Sequence, residues 1–236
     1  MRRRPLLALP ALLLPAAPPL RAPPLPARAQ PASAGAAPVD VALVLAVDAS
    51  GSIGEAEFRL QREGCAEAVA HPAVLAAIRG GPLGRVAIAM VEWGAPGGAE
   101  TVLGWHAVSD AASAAILAEA LLAAPRSRQS WNAIGDAIDH AAALLEACPH
   151  EATRRVIDLS GDGPDLRGLR PAAAARDAAL AAGITINALA ILTGRAGLVE
   201  HYRDQVITGP GAFVQPAEGR EDFARALRAK LVREIA

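Results

Sequence analysis

From Val39 to Asp48 the chain reads VDVALVLAVD, a nearly unbroken apolar run that ends on an acid. Such a short run without alternation is what a strand covered on both faces requires. Similar runs recur at 85–93 (RVAIAMVEW), in RRVIDLS ending at Ser160, and at 184–192 (ITINALAIL). The segment ETVLGWHAV, 100–108, follows the turn GAPGGA and is expected to pair back on the second strand as a hairpin.

Helical spacing fills the intervals. A helix is expected from Glu55 with Phe58, Leu60, Cys65, Val69, Val74 and Ile78 on its apolar side, bent near His71-Pro72 because proline has no amide proton to donate. Ser109 or Asp110 caps a second helix to Leu122, 133–148 forms a third, and Pro171 opens a fourth that Gly183 ends. A short helix over 198–206, a brief strand over 212–215 and a helix over 221–235 complete the pattern, the last with Phe223, Leu227, Leu231 and Ile235 on one stripe. Strands and helices alternating through short links define an α/β class: a doubly wound, Rossmann-like three-layer sandwich whose central sheet is mostly parallel with one antiparallel edge strand.

Composition changes this picture at the front of the chain. Residues 1–29 combine a basic start (MRRRP), an apolar stretch broken by Pro10, Pro15, Pro18 and Pro19, and Ala27-Arg28-Ala29 before Gln30, the pattern of a cleaved export signal. Residues 30–38 then read as a linker and 39–236 as one domain, placing the product in the periplasm or outside the cell. The apolar stretch is too short and too interrupted for a stable membrane span. The whole chain has 23 Lys+Arg against 24 Asp+Glu; the leader takes five arginines and no acid, leaving 18 against 24, a net charge of −6. That sign argues against nucleic acid as a partner. Cys65 and Cys148, on helices expected on opposite faces of the sheet, are expected as free, mostly buried thiols.

Candidate chemistry gathers where a doubly wound fold places ligands, beyond the carboxyl ends of the strands. Asp48, Ser50 and Ser52 alternate with Ala49 and Gly51, a spacing that aims one carboxylate and two hydroxyls at a common point. Hard oxygen donors of this kind suit Mg²⁺. A plainer reading remains open, with Ser52 and Glu55 forming a capping box for the following helix. Asp162, between Gly161 and Gly163, lies just past the fourth strand, where the fold brings it beside Asp48, although Gly-Asp-Gly also suits a surface turn.

Asp48-Ala49-Ser50-Gly51-Ser52 after a first apolar strand, with Ser160-Gly161-Asp162-Gly163 after the fourth, resembles the metal-ion-dependent adhesion site of von Willebrand factor type A (vWA) domains. The likeness runs over Val39 to Ala236 and is stronger still to an uncharacterised exported bacterial branch of that superfamily. It implies a Mg²⁺ site, with Mn²⁺ or Ca²⁺ as alternatives, in which Ser50 and Ser52 bind directly while Asp48 and Asp162 act mostly through water. The family's threonine ligand falls at Asn132 in NAIGDAI, where an amide carbonyl would replace the hydroxyl, or Ser130 would reach in; Asn132 as a helix cap is the rival role. The resemblance also implies a partner protein that presents a Glu or Asp carboxylate to the ion. Arg126 and Arg128, flanking this loop, would favour such an acidic partner, or simply belong to a solvated loop.

Other polar residues have alternatives too. Asp158, Asp165 and Asn187 are candidates for supporting the site, while for Glu92, Asp158 and Asn187 the preferred reading is a hydrogen-bonded structural network. A degenerate site in an interaction module and a metal-dependent hydrolase stand as alternatives to metal-bridged binding. The hydrolase is disfavoured: Asp48 lacks the acid two residues on that a dehalogenase-type phosphatase uses, and the chain has no nucleophile elbow, Walker A loop or G-x-G-x-x-G after its first strand.

Overall fold

The computed structural model describes residues 36–194 and 196–236. The expected leader and residues 30–35 of the linker lie outside the described residues. In chain order the elements are β1 (Ala36–Asp48), α1 (Glu55–Ala70), α2 (Pro72–Gly80), β2 (Val86–Trp93), β3 (Glu100–Val108), α3 (Ala111–Ala123) and α4 (Ile134–Glu146), followed by β4 (His150–Gly161), α5 (Ala172–Ala181), β5 (Ile184–Ile191), α6 (Leu198–Gln205), β6 (Val214–Ala217) and α7 (Phe223–Ile235).

One six-stranded sheet runs in the order β3-β2-β1-β4-β5-β6. Every neighbouring pair is parallel except β2 and β3, the expected hairpin at one edge. β1 is central, and its side chains alternate between two cores. Val41, Leu43, Leu45 and Val47 pack with residues of α1, α2, α3 and α7 on one face; Ala42, Val44 and Ala46 pack with residues of α4, α5 and α6 on the other. The small residues on the second face let α4 approach closely through Ala137 and Ala141, so an alanine-rich composition becomes close helix-on-sheet packing.

Some boundaries differ from the sequence pattern for identifiable reasons. The expected bend near Pro72 is a break: His71 is extended (φ −68°, ψ 137°), and its Nδ1 accepts the Ala73 N–H to cap a separate α2. β1 begins three residues earlier than the apolar run, and β4 at His150, because Ala36 and Val39 pair with His150 and Ala152 beyond the covered part of the sheet. That extension is largely exposed, so hydrophobicity does not mark it. β6 lies two residues later than expected.

Two ionic groups are buried in the face that holds α1 and α7. Arg62 donates to Glu92 Oε1 at 2.6 Å, and Glu92 Oε2 accepts the Ser127 N–H at 2.6 Å. Lys230 contacts Asp158 at 2.8 Å and Glu234 at 2.5 Å, while Asn187 donates to Glu234 and accepts the Phe213 N–H. The network expected for Glu92, Asp158 and Asn187 is therefore present, as two separate groups. Cys65 is buried against the first core and Cys148 half-buried against the second, both as free thiols on opposite faces.

Candidate metal site

β1 ends at Asp48, whose side chain is buried beneath the loop that follows it. Its Oδ1 accepts the Ser50 N–H at 2.8 Å, and the Ser50 carbonyl accepts the Ile53 N–H at 2.9 Å, so the loop is wound tightly over the carboxylate. This turn leaves Ser50 Oγ and Ser52 Oγ 3.2 Å apart. The capping box expected from Ser52 and Glu55 does not form. The cap of α1 is two residues later, at Gly54, whose N–H donates to Glu57 Oε2 at 2.7 Å. Ser52 is thereby released from helix capping and its hydroxyl stays beside that of Ser50.

β4 brings the second carboxylate. Val47 is in register with Ser160, and the Asp162 N–H points to Asp48 Oδ2 at 3.5 Å. The glycine before it is required by packing: a Cβ at Gly161 would lie 2.6 Å from the Tyr202 hydroxyl and 3.0 Å from the Trp93 ring. Asp162 is buried, and its Oδ1 and the nearby Ser160 Oγ have no hydrogen-bond partner among the described residues.

Asn132 completes the cluster from the loop before α4. It lines a shallow cleft of about 160 Å³ with Ser50, Gly51, Ser52, Trp131 and Leu166. Its backbone carbonyl accepts the Leu166 N–H at 2.6 Å, tying this loop to the one after β4. The alternative of Asn132 as the cap of α4 is not realised; Asp165 instead accepts the Ile134 N–H through Oδ1 and the Ala172 N–H through Oδ2, serving the starts of two helices. Gly94, at the end of β2, sets the spacing between loops, since a Cβ there would lie 3.0 Å from both Ser50 Cα and the Ser130 carbonyl oxygen.

Asp48, Ser50, Ser52, Asn132 and Asp162 thus come to one end of the sheet. Ser130 is exposed on the adjoining loop and Asp165 orders its surroundings. Asp158 and Asn187 do not join them; they belong to the Lys230 and Glu234 network on the sheet face. Arg126 is engaged within the protein, donating to the Ile53 carbonyl and to Glu55 and stacking on Phe58 at 4.7 Å. Arg128 is exposed and lines a second cleft with Ser50, Gly51 and Gln129.

One site residue had no counterpart in the sequence reading. Arg220, in the turn between β6 and α7, donates to Asp162 Oδ2 at 2.7 Å and to Glu57 Oε1 at 2.5 Å. Its position just past the last parallel strand, on the ligand side of a doubly wound sheet, was the available signal.

Burial dominates the electrostatics of the cluster. Burial pushes the Asp48 carboxyl up to about 7, and the nearby charge of Asp162 adds to the rise, while hydrogen bonds from Ser50 oppose it. Arg220 neutralises one carboxylate, and Asp48 has no cationic partner among the described residues. No group of three or more His, Cys, Asp or Glu side chains is gathered for a metal among the described residues, so any ion would be held by two carboxylates, hydroxyls, an amide and water. That donor set fits a hard divalent cation and disfavours soft metals.

The fold defined by this sheet order and helix arrangement is that of the vWA domains, and solved structures show it. The chain superposes on the pilus adhesin SpaC from Lactobacillus rhamnosus GG with a TM-score of 0.60 at 16% identity, covering 84% of this chain and 30% of that one. Proximal thread matrix protein 1 from the mussel byssus, in a form with a zinc-occupied MIDAS motif, gives 0.63 at 16% identity over 84% and 48% of the two chains. A von Willebrand factor type A protein from Catenulispora acidiphila gives 0.57 at 18% identity over 84% and 43%. The chain therefore spans between 30% and 48% of the length of these structures. No curated protein matches the sequence. Residues 38–236 match the family described as "Protein of unknown function (DUF1194)", and the chain belongs to that family.

Proposed function

We propose that this domain binds a divalent cation, Mg²⁺ or in its place Mn²⁺ or Ca²⁺, through Asp48, Ser50, Ser52, Asn132 and Asp162, and uses it to recognise an acidic side chain of a partner protein. The observation that carries the reading is the buried Asp48 carboxylate, which accepts the Asp162 N–H at 3.5 Å beside two adjacent serine hydroxyls, with Asp162 Oδ1 left without a hydrogen bond among the described residues. Burying the Asp48 carboxylate beside Asp162 is costly unless a cation compensates it, and Arg220 compensates Asp162 alone. The ion would supply a Lewis-acidic position for an incoming carboxylate, and the loops carrying Arg128 and Trp131 would shape its surroundings.

Export to the periplasm or beyond, and a binding rather than catalytic role, belong to the same proposal. The adhesin and byssal-matrix proteins that share the fold are consistent with it. No described helix is long and apolar enough to cross a membrane. Arg220 on Asp162 favours a second reading, an interaction module whose metal site is degenerate and whose carboxylate is neutralised internally. Calorimetric titration with Mg²⁺ and Mn²⁺, with Asp48→Ala and Asp162→Ala alongside the parent, tests the first reading. Saturable uptake that is lost in both variants is expected; uptake unaffected by either substitution would overturn the assignment of the site.

A further inference from the structure

Asp162 is shared between two demands: the cation site it helps form with Asp48, and the guanidinium of Arg220. We propose that Arg220 is an internal competitor for the divalent cation, holding Asp162 when no ion is bound and yielding it when one binds. The proposal rests on the metal-site reading above and adds to it the control of affinity.

Three features of the geometry carry it. Arg220 Nη2 is 2.7 Å from Asp162 Oδ2, so the contact is a direct charge-assisted hydrogen bond that neutralises the carboxylate. The Nη1 side has its own partner in Glu57 Oε1 at 2.5 Å, and Glu57 is in turn fixed by the Gly54 N–H at the start of α1. The guanidinium can therefore give up Asp162 and keep an ion pair. Its Nε is buried with no hydrogen-bond partner among the described residues, so the present position is held by the two carboxylates and not by a full set of bonds.

The exchange is a side-chain movement. The turn that carries Arg220 is closed by the Phe223 N–H donating to the Arg220 carbonyl and the Asp222 N–H donating to the Gly219 carbonyl. Phe223 is buried against α1, where a Cβ on Gly64 would come within 2.8 Å of its ring. The backbone of the turn is anchored, whereas the Arg220 side chain is about a quarter exposed and has room to swing toward water. A positive charge so close to the ion also opposes it through space, so the direction of the effect is the same whether the guanidinium leaves fully or only lengthens its contact.

The test compares the parent with Arg220→Gln by calorimetric titration with Mn²⁺ and with Mg²⁺, thermal unfolding verifying that the variant is folded. Removing a charged hydrogen-bond partner of Asp162 is expected to tighten ion binding by about ten- to a hundredfold. Arg220→Lys, which keeps the charge but loses the fork that spans both carboxylates, is expected to fall between the two. Equal or weaker binding by Arg220→Gln than by the parent would overturn the competition and leave the metal site standing, with Arg220 as a residue that orients Asp162. No saturable uptake by either protein would overturn the metal-site reading itself, and this proposal with it.

Discussion

Replacing Asp48 with asparagine should stabilise the metal-free protein at alkaline pH while abolishing its response to metal. The carboxyl is fully buried and pushed from its ordinary 3.8 to about 7, chiefly by burial. Because the folded-state value is the higher one, the folded protein holds the proton more tightly; stability from this group is complete below about pH 4 and is lost as pH rises to about 7. At about 1.4 kcal/mol for each pH unit, the ionised carboxylate costs about 4 kcal/mol by pH 8. Asparagine keeps an oxygen for the Ser50 N–H but turns an amide donor toward the Asp162 N–H, now 3.5 Å from Oδ2, which returns about 1 kcal/mol of that gain. A net gain of about 3 kcal/mol corresponds to a rise in Tm of about 6–12 °C for a domain of this size. Thermal unfolding in EDTA at pH 8 and pH 4 measures it: the variant should be the more stable at pH 8 and no better at pH 4. With Mg²⁺ added at pH 8, the parent alone should rise. A Tm difference that is the same at both pH values would refute the reasoning, because it would show that the charge of Asp48 is not the source of the cost.

Asn132→Thr restores the hydroxyl that the vWA pattern carries at this position, and calorimetry should show tighter Mg²⁺ binding by about three- to tenfold; unchanged affinity would remove Asn132 from the ion's surroundings. Glu92→Gln leaves Arg62 buried with a neutral partner and should cost about 3–5 kcal/mol in urea unfolding; a loss below about 1 kcal/mol would mean that the pair is not the support of the Ser127 loop. Cys65, whose thiol burial pushes up to about 12, should resist iodoacetamide in the folded protein, whereas half-buried Cys148 should be alkylated first. Mass spectrometry of the labelled peptides reads the order, and early labelling of Cys65 would contradict its place in the core.

Much of this protein is determined by local pattern. The unbroken apolar runs of β1, β2, β4 and β5 arise because each is covered on both faces, so hydrophobicity alone marks them and their alternation with helices sets the doubly wound order. The hairpin at Glu100–Val108 was legible from its turn residues, and Asp48, Ser50 and Ser52 from a spacing that matters only at a strand end. Tertiary structure decided what two-body contacts decide. The sequence allowed Ser52 to cap α1, and the fold instead placed the cap at Gly54, because the tight turn over Asp48 uses the residues before it. Asn132 was open to two roles, ligand or cap of α4, and the fold gave the Ile134 N–H to Asp165 instead. The pairing of Arg220 with Asp162 and Glu57 joins residues more than fifty positions apart through side chains alone. No periodicity or composition encodes such a contact: an arginine in a polar turn has the same local signature in solvent as it has against a buried carboxylate, and only the position of β6 beside the other strand ends tells them apart.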